Sequence, residues 1–149
     1  MFRRSALVLT WMMLPLTIGA MTPQSTTATN KLSTAFEQYE LMRSALAVDS
    51  LTGVSEAATA LAPIAREVGG EGAEAAARRV ASAKTIKDAR EHFGTLSELL
   101  VPKFLAARLP GVRGFTCSMV KKPWAQKGAT TQNPYYGKSM PTCGTPIAK

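Results

Sequence analysis

Cysteine and histidine are scarce: the chain has two cysteines, Cys117 and Cys143, and a single histidine, His92. That shortage argues against a closed zinc site, which takes four nitrogen and sulfur ligands. No glycine-rich phosphate loop follows a strand and no nucleophile elbow is present. His92 has no nucleophile partner beside it in sequence, so nothing marks an enzyme. Long β-branched runs are absent, aromatics are few and alanine is abundant, a balance that favours helices. Acidic residues stop at Glu98. Up to that point ten basic and ten acidic residues cancel; beyond it Lys103, Arg108, Arg113, Lys121, Lys122, Lys127, Lys138 and Lys149 supply the whole net charge of +8.

The front of the chain has a secretory layout. Met1-Phe2-Arg3-Arg4 is a short positive start, Ala6 to Ala20 is apolar and uncharged, and the composition turns polar from Thr22. This pattern predicts a cleaved signal peptide over residues 1–20, with Thr26-Thr27-Ala28 as a second cleavage site. The apolar run is shorter than the roughly 20 residues that span a bilayer, so no membrane span is expected after cleavage. The expected location is periplasmic or secreted. Export removes nucleic acid as the target of the basic tail and leaves anionic lipid, an acidic partner protein, or solubility alone.

Four amphipathic patterns follow. Leu32, Phe36, Tyr39, Met42 and Leu46 share one face over Lys31 to Ala47. Leu51, Val54, Ala58, Leu61, Ile64 and Val68 do so over Leu51 to Val68, before Gly69-Gly70. Glu71 to Ala83 presents the small face Ala73, Ala76, Ala77 and Val80. The longest pattern has Thr85 as its N-cap and runs through Ile86, Ala89, Phe93, Leu96, Leu100 and Phe104; Pro102 is expected to bend or end it. The expected fold class is therefore all-α: a small up-and-down helical bundle over residues 29–109, followed by a loop-rich C-terminal tail over residues 110–149. The tail carries both cysteines together with Trp124, Tyr135 and Tyr136, whose rings predict that it packs back on the bundle rather than remaining disordered.

Each cysteine has a methionine close by, in Cys117-Ser118-Met119 and Met140-Pro141-Thr142-Cys143. Thiolate and thioether are soft ligands that select Cu(I), so these four sulfurs are a candidate metal set. Nearby lysines favour the thiolate form but repel a bare cation. A disulfide between Cys117 and Cys143 is the competing reading, since exported proteins usually pair their cysteines. Closing a loop of roughly 26 residues is worth about 3.5 kcal/mol by chain entropy. In that reading no cofactor is needed. His92 is an additional candidate ligand or, more simply, a partly buried helix residue.

The same tail carries a resemblance. Cys117-Ser118-Met119, Trp124-Ala125-Gln126 and Asn133-Pro134-Tyr135-Tyr136-Gly137-Lys138-Ser139-Met140-Pro141-Thr142-Cys143-Gly144 resemble the end of the family called domain of unknown function 3347. Arg90-Glu91-His92-Phe93-Gly94-Thr95-Leu96-Ser97 is similar to that family's helix motif, and Tyr39-Glu40-Leu41-Met42-Arg43-Ser44-Ala45-Leu46 to its start. Ser118 stands where the family commonly has proline. Members are exported helical proteins, found alone or joined to periplasmic adaptor subunits of heavy-metal efflux pumps. The resemblance implies a copper-handling or efflux-accessory role, a periplasmic metal-efflux or metal-handling partner, and Cys117, Met119, Met140, Cys143 and His92 as ligands. A disulfide-stabilised interaction module without metal is the alternative.

Overall fold

The computed structural model of the protein describes residues 23–148; the expected signal segment lies outside them. Four helices come first: α1 (Pro23–Ala47), α2 (Val54–Gly69), α3 (Glu71–Ser82) and α4 (Ile86–Ala106). Their apolar stripes meet in one core, with Phe36, Tyr39, Met42 and Leu46 of α1 against Phe93, Leu96, Leu100 and Phe104 of α4. The alanine faces of α2 and α3 complete it, where small side chains let helices approach closely. Thr85 does cap α4, accepting a hydrogen bond from the Asp88 N–H at 3.1 Å.

Three local expectations shift. α1 begins at Pro23 rather than Lys31, because proline suits a first helical turn and these polar turns carry no stripe to read. The second helix begins at Val54, after Gly53 at φ 75°, and Leu51 lies in the turn before it. Pro102 does not stop α4, which continues to Ala106; the proline sits on the exposed side, where the carbonyl it leaves without a donor can meet water.

The all-α assignment is overturned. The tail is not loop-rich throughout but forms an antiparallel sheet of order β2-β1-β3, from β1 (Val112–Cys117), β2 (Lys122–Lys127) and β3 (Thr145–Pro146). The protein is therefore mixed α/β, though mostly helical. Cys117 pairs with Lys122 at the β1–β2 hairpin, and Thr116 pairs with Thr145 on the other side. A single 3₁₀ turn, Gly137–Ser139, lies between β2 and β3.

The sheet joins the bundle core through a chain of rings. Tyr39 lies 4.8 Å from Phe93, Phe93 6.1 Å from Tyr135, Tyr135 6.1 Å from Trp124, and Trp124 5.3 Å from Phe115 between ring centroids. Offset and edge contacts of this kind add to the burial of ring area. Two tyrosine hydroxyls also close the outer edge of β2. The Ala125 N–H donates to the Tyr39 oxygen at 3.4 Å, and the Tyr135 hydroxyl donates to the Pro123 carbonyl at 2.5 Å. Pro123 has no N–H to leave open on that edge, so the strand presents little to a foreign strand.

Candidate functional site

β1 runs toward Cys117 and is followed by the hairpin loop holding Met119. β3 is antiparallel to β1 and starts opposite Thr116, so the residues before it, Met140 to Cys143, arrive at that same end of the sheet. The topology thus brings the four candidate sulfur residues, from two stretches of the tail, to one end of one sheet. Their exposure is graded. Cys117 is fully buried, Cys143 and Met140 are half-buried, and Met119 is 60 % exposed. Both cysteines are free thiols.

One side chain organises this end. The buried Asn133 amide nitrogen donates to the Cys143 carbonyl at 2.7 Å and to the Cys117 sulfur at 3.4 Å. Its side-chain oxygen accepts from the Tyr135 N–H at 2.8 Å, and its own N–H donates to the Pro141 carbonyl at 2.8 Å. An asparagine before a proline is a natural turn former, since its side chain can stand in for backbone. Here it ties the Met140–Cys143 turn, closed by a Cys143 N–H to Met140 carbonyl bond of 3.3 Å, to the end of β1. Trp124 packs beneath. A Cβ on Gly144 would fall 2.2 Å from its ring, so only glycine fits there. The indole N–H donates to Gln126 Oε1 at 2.9 Å, and Gln126 in turn donates to the Thr130 carbonyl at 2.6 Å.

A second group of polar contacts clamps the tail to the helices. Arg90 of α4 donates to the Pro134 carbonyl at 2.8 Å, to the Leu46 carbonyl at 2.8 Å and to Asp49 at 2.5 Å. Asp49 also accepts from the Lys138 N–H at 3.1 Å. The Arg90 guanidinium and that N–H hold the Asp49 carboxyl below its ordinary range. Gly137, at φ 51°, passes so close that a Cβ would strike Asp49 and Arg90. Arg43 of α1, nearly fully buried, binds Glu40 and reaches the Gln132 carbonyl at 3.1 Å. Tyr39 shares a 2.7 Å hydrogen bond with Ser97. Burial pushes the Tyr39 and Tyr135 phenols up from their usual value, so both remain protonated.

Of the expected site residues, the sheet end collects Cys117, Cys143, Met119 and Met140. His92 lies half-buried on α4, and among the described residues no three of His, Cys, Asp and Glu come together. Trp124 and Tyr135 are buried packing residues, and Tyr136 is half-buried against the core. Sequence reasoning assigned no role to Asn133, Gln126, Arg43 or Arg90. The Asn-Pro step was the one readable signal for Asn133; Arg43 and Arg90 reach partners far away in sequence, and Gln126 bonds locally to Trp124, Thr130 and Gln132.

The sulfur groups gathered at this end of the sheet are two thiols and two thioethers. No family model, curated protein or solved structure matches this chain. The resemblance drawn from the motifs rests on those residues alone.

Proposed function

We propose that the protein handles a soft metal ion outside the cytoplasm, with Cu(I) the ion of best fit and Cys117 and Cys143 the principal donors. The observation that carries this reading is the arrival of Cys117, Met119, Met140 and Cys143 at one end of the sheet. The Asn133 amide donates to the Cys117 sulfur and to the Cys143 carbonyl, which holds the two cysteines in register with each other. The gradient of exposure suggests an entry path, from the open Met119 thioether through half-buried Met140 and Cys143 to the buried Cys117. Delivery to, or collection from, a periplasmic metal-efflux or metal-handling protein is the role this implies. Anaerobic titration of the reduced protein with Cu(I) against a competing chelator tests it. One tightly held ion per chain is expected. Cys117→Ser and Cys143→Ser should each abolish tight binding, and Met119→Leu and Met140→Leu should only weaken it, since a neutral thioether is the poorer ligand. Unchanged affinity in the double cysteine variant would refute the reading.

One observation favours the alternative, a disulfide-stabilised interaction module with no metal: Cys117 is 0 % exposed and belongs to the apolar core, as a structural half-cystine would. A thiol count on protein taken from its native compartment separates the two. Free thiols support the metal reading, and none supports the disulfide.

A further inference from the structure

The cations of the stretch after Glu98 are gathered unevenly by the fold. Lys103 sits in the last turn of α4, Arg108 in the turn that follows it, Arg113 near the start of β1 and Lys127 at the end of β2. Val112 pairs with Lys127, and the Gly128 N–H donates to the Gly111 carbonyl at 3.2 Å, so the end of α4, the start of β1 and the end of β2 meet at one end of the molecule. All four residues are exposed, and none has an ion-pair partner among the described residues. The acidic residues around the nearby α2–α3 junction, Glu67, Glu71 and Glu74, are held by Lys31, Arg66 and Arg78. The opposite end of the bundle is balanced differently. There the exposed cations Arg79, Lys84, Lys87 and Lys138 stand with exposed Glu56, Asp88 and Glu91.

The same basic end holds an apolar cleft of about 910 Å³ between the first described turns of α1, the end of α2 and the end of α4. Leu32, Val68, Ala106 and Ala107 line it. Lys103 is the one lining charge left free, since Lys31 and Glu67 pair with each other.

We infer that this end docks on the surface of an anionic lipid bilayer, with Lys103, Arg108, Arg113 and Lys127 toward the headgroup phosphates and the cleft receiving an acyl chain. A negatively charged lipid surface attracts clustered lysines and arginines within a Debye length, about 8 Å at physiological salt. The arginines add N–H forks that match phosphate oxygens. An acidic protein would meet the same charges, but an apolar cleft beside Lys103 suits a ligand that carries a flexible apolar chain behind its anionic group. β1 runs from this end to Cys117, so the docked protein holds its sulfur end away from the surface. The inference does not rest on the metal reading.

Cosedimentation with lipid vesicles tests it, using the chain from residue 21 onward, which keeps the whole described fold and leaves out the apolar start that would itself enter a bilayer. Binding is expected to vesicles of equal parts phosphatidylglycerol and phosphatidylcholine, and not to phosphatidylcholine alone. Raised salt should release the protein. The variant Lys103→Gln, Arg108→Gln, Arg113→Gln, Lys127→Gln should bind about tenfold more weakly or worse, the equivalent of ~1.4 kcal/mol. A control of equal net charge, Arg79→Gln, Lys84→Gln, Lys87→Gln, Lys138→Gln, should keep most of the parent's affinity. Both variants touch only exposed side chains, and helical circular dichroism checks their fold. Leu32→Gln, in the cleft, should also weaken binding. Equal binding to phosphatidylcholine alone, a loss in the control as large as in the end variant, or unchanged binding of the end variant would each overturn the inference. So would full binding by Leu32→Gln, or complete displacement by polyglutamate at matched charge, which would point to an acidic protein instead.

Discussion

The helical bundle and the sheet that docks on it are ordered by different means. In the bundle, neighbours in space are mostly neighbours in sequence, and stripes at helical spacing place Phe36, Leu61, Val80 and Phe93 inward with little polar help. In the C-terminal region the strands are short and the order comes from long-range partners. Asn133 reaches the ends of β1 and of the turn before β3, Arg90 reaches Pro134 and Asp49, and Tyr39 caps a strand far along the chain. A short sheet of this kind is marginal by itself and gains independent stability by packing against helices. The bundle is thus the platform, and the docked sheet carries the residues of chemical interest.

That contrast can be broken most sharply at Trp124, which is fully buried where the sheet meets the ring chain. Trp124→Ala should destabilise the protein by about 3–5 kcal/mol in urea unfolding, and the sheet should lose hydrogen-exchange protection before the helices do. Asn133→Ala comes next. It strips a partner from the Tyr135 N–H and the Cys143 carbonyl, for about 2–3 kcal/mol of destabilisation in the same assay.

Acid should separate the two regions as well. Asp49 has a depressed carboxyl, so its contribution is present above the ordinary carboxylate value and is lost as pH falls through the lowered one. The lost contacts are those to Arg90 and to the Lys138 N–H, hence the sheet should loosen first. In the chain from residue 21 onward, where Trp124 is the remaining tryptophan, its fluorescence followed against pH should show this limb, and Asp49→Asn should remove it. The smallest effect is expected on the bundle surface. Arg78→Ala deletes a surface ion pair with Glu74, which keeps Arg66 as a second partner, and should leave the thermal midpoint almost unchanged.

The two regions also differ in how far they can be read from sequence. The four helices are visible because their buried residues recur every three or four positions and Thr85 announces a start. The sheet hides. In β2, Trp124, Ala125 and Gln126 are all buried, so no inside–outside alternation survives; β1 is interrupted by Gly114, packed against Leu105; and β3 is two residues long. The hairpin loop holds no glycine or asparagine and instead sets Lys121 at φ 54°, which removes the usual turn signal. At the site, residue type alone singled out the cysteines and methionines. The asparagine and arginines that fix their surroundings could not be found that way, because each acts through a contact that only the folded chain creates.

Both readings of the tail rest on Cys117 and Cys143 being neighbours under Asn133. Mild oxidation of the native reduced protein with diamide, followed by mass spectrometry of its peptides, tests this most directly. The expected result is a monomer lighter by two hydrogens, with the Cys117 and Cys143 peptides joined to each other. Disulfide-linked dimers through Cys143, with Cys117 still a free thiol, would contradict the juxtaposition on which the account is built.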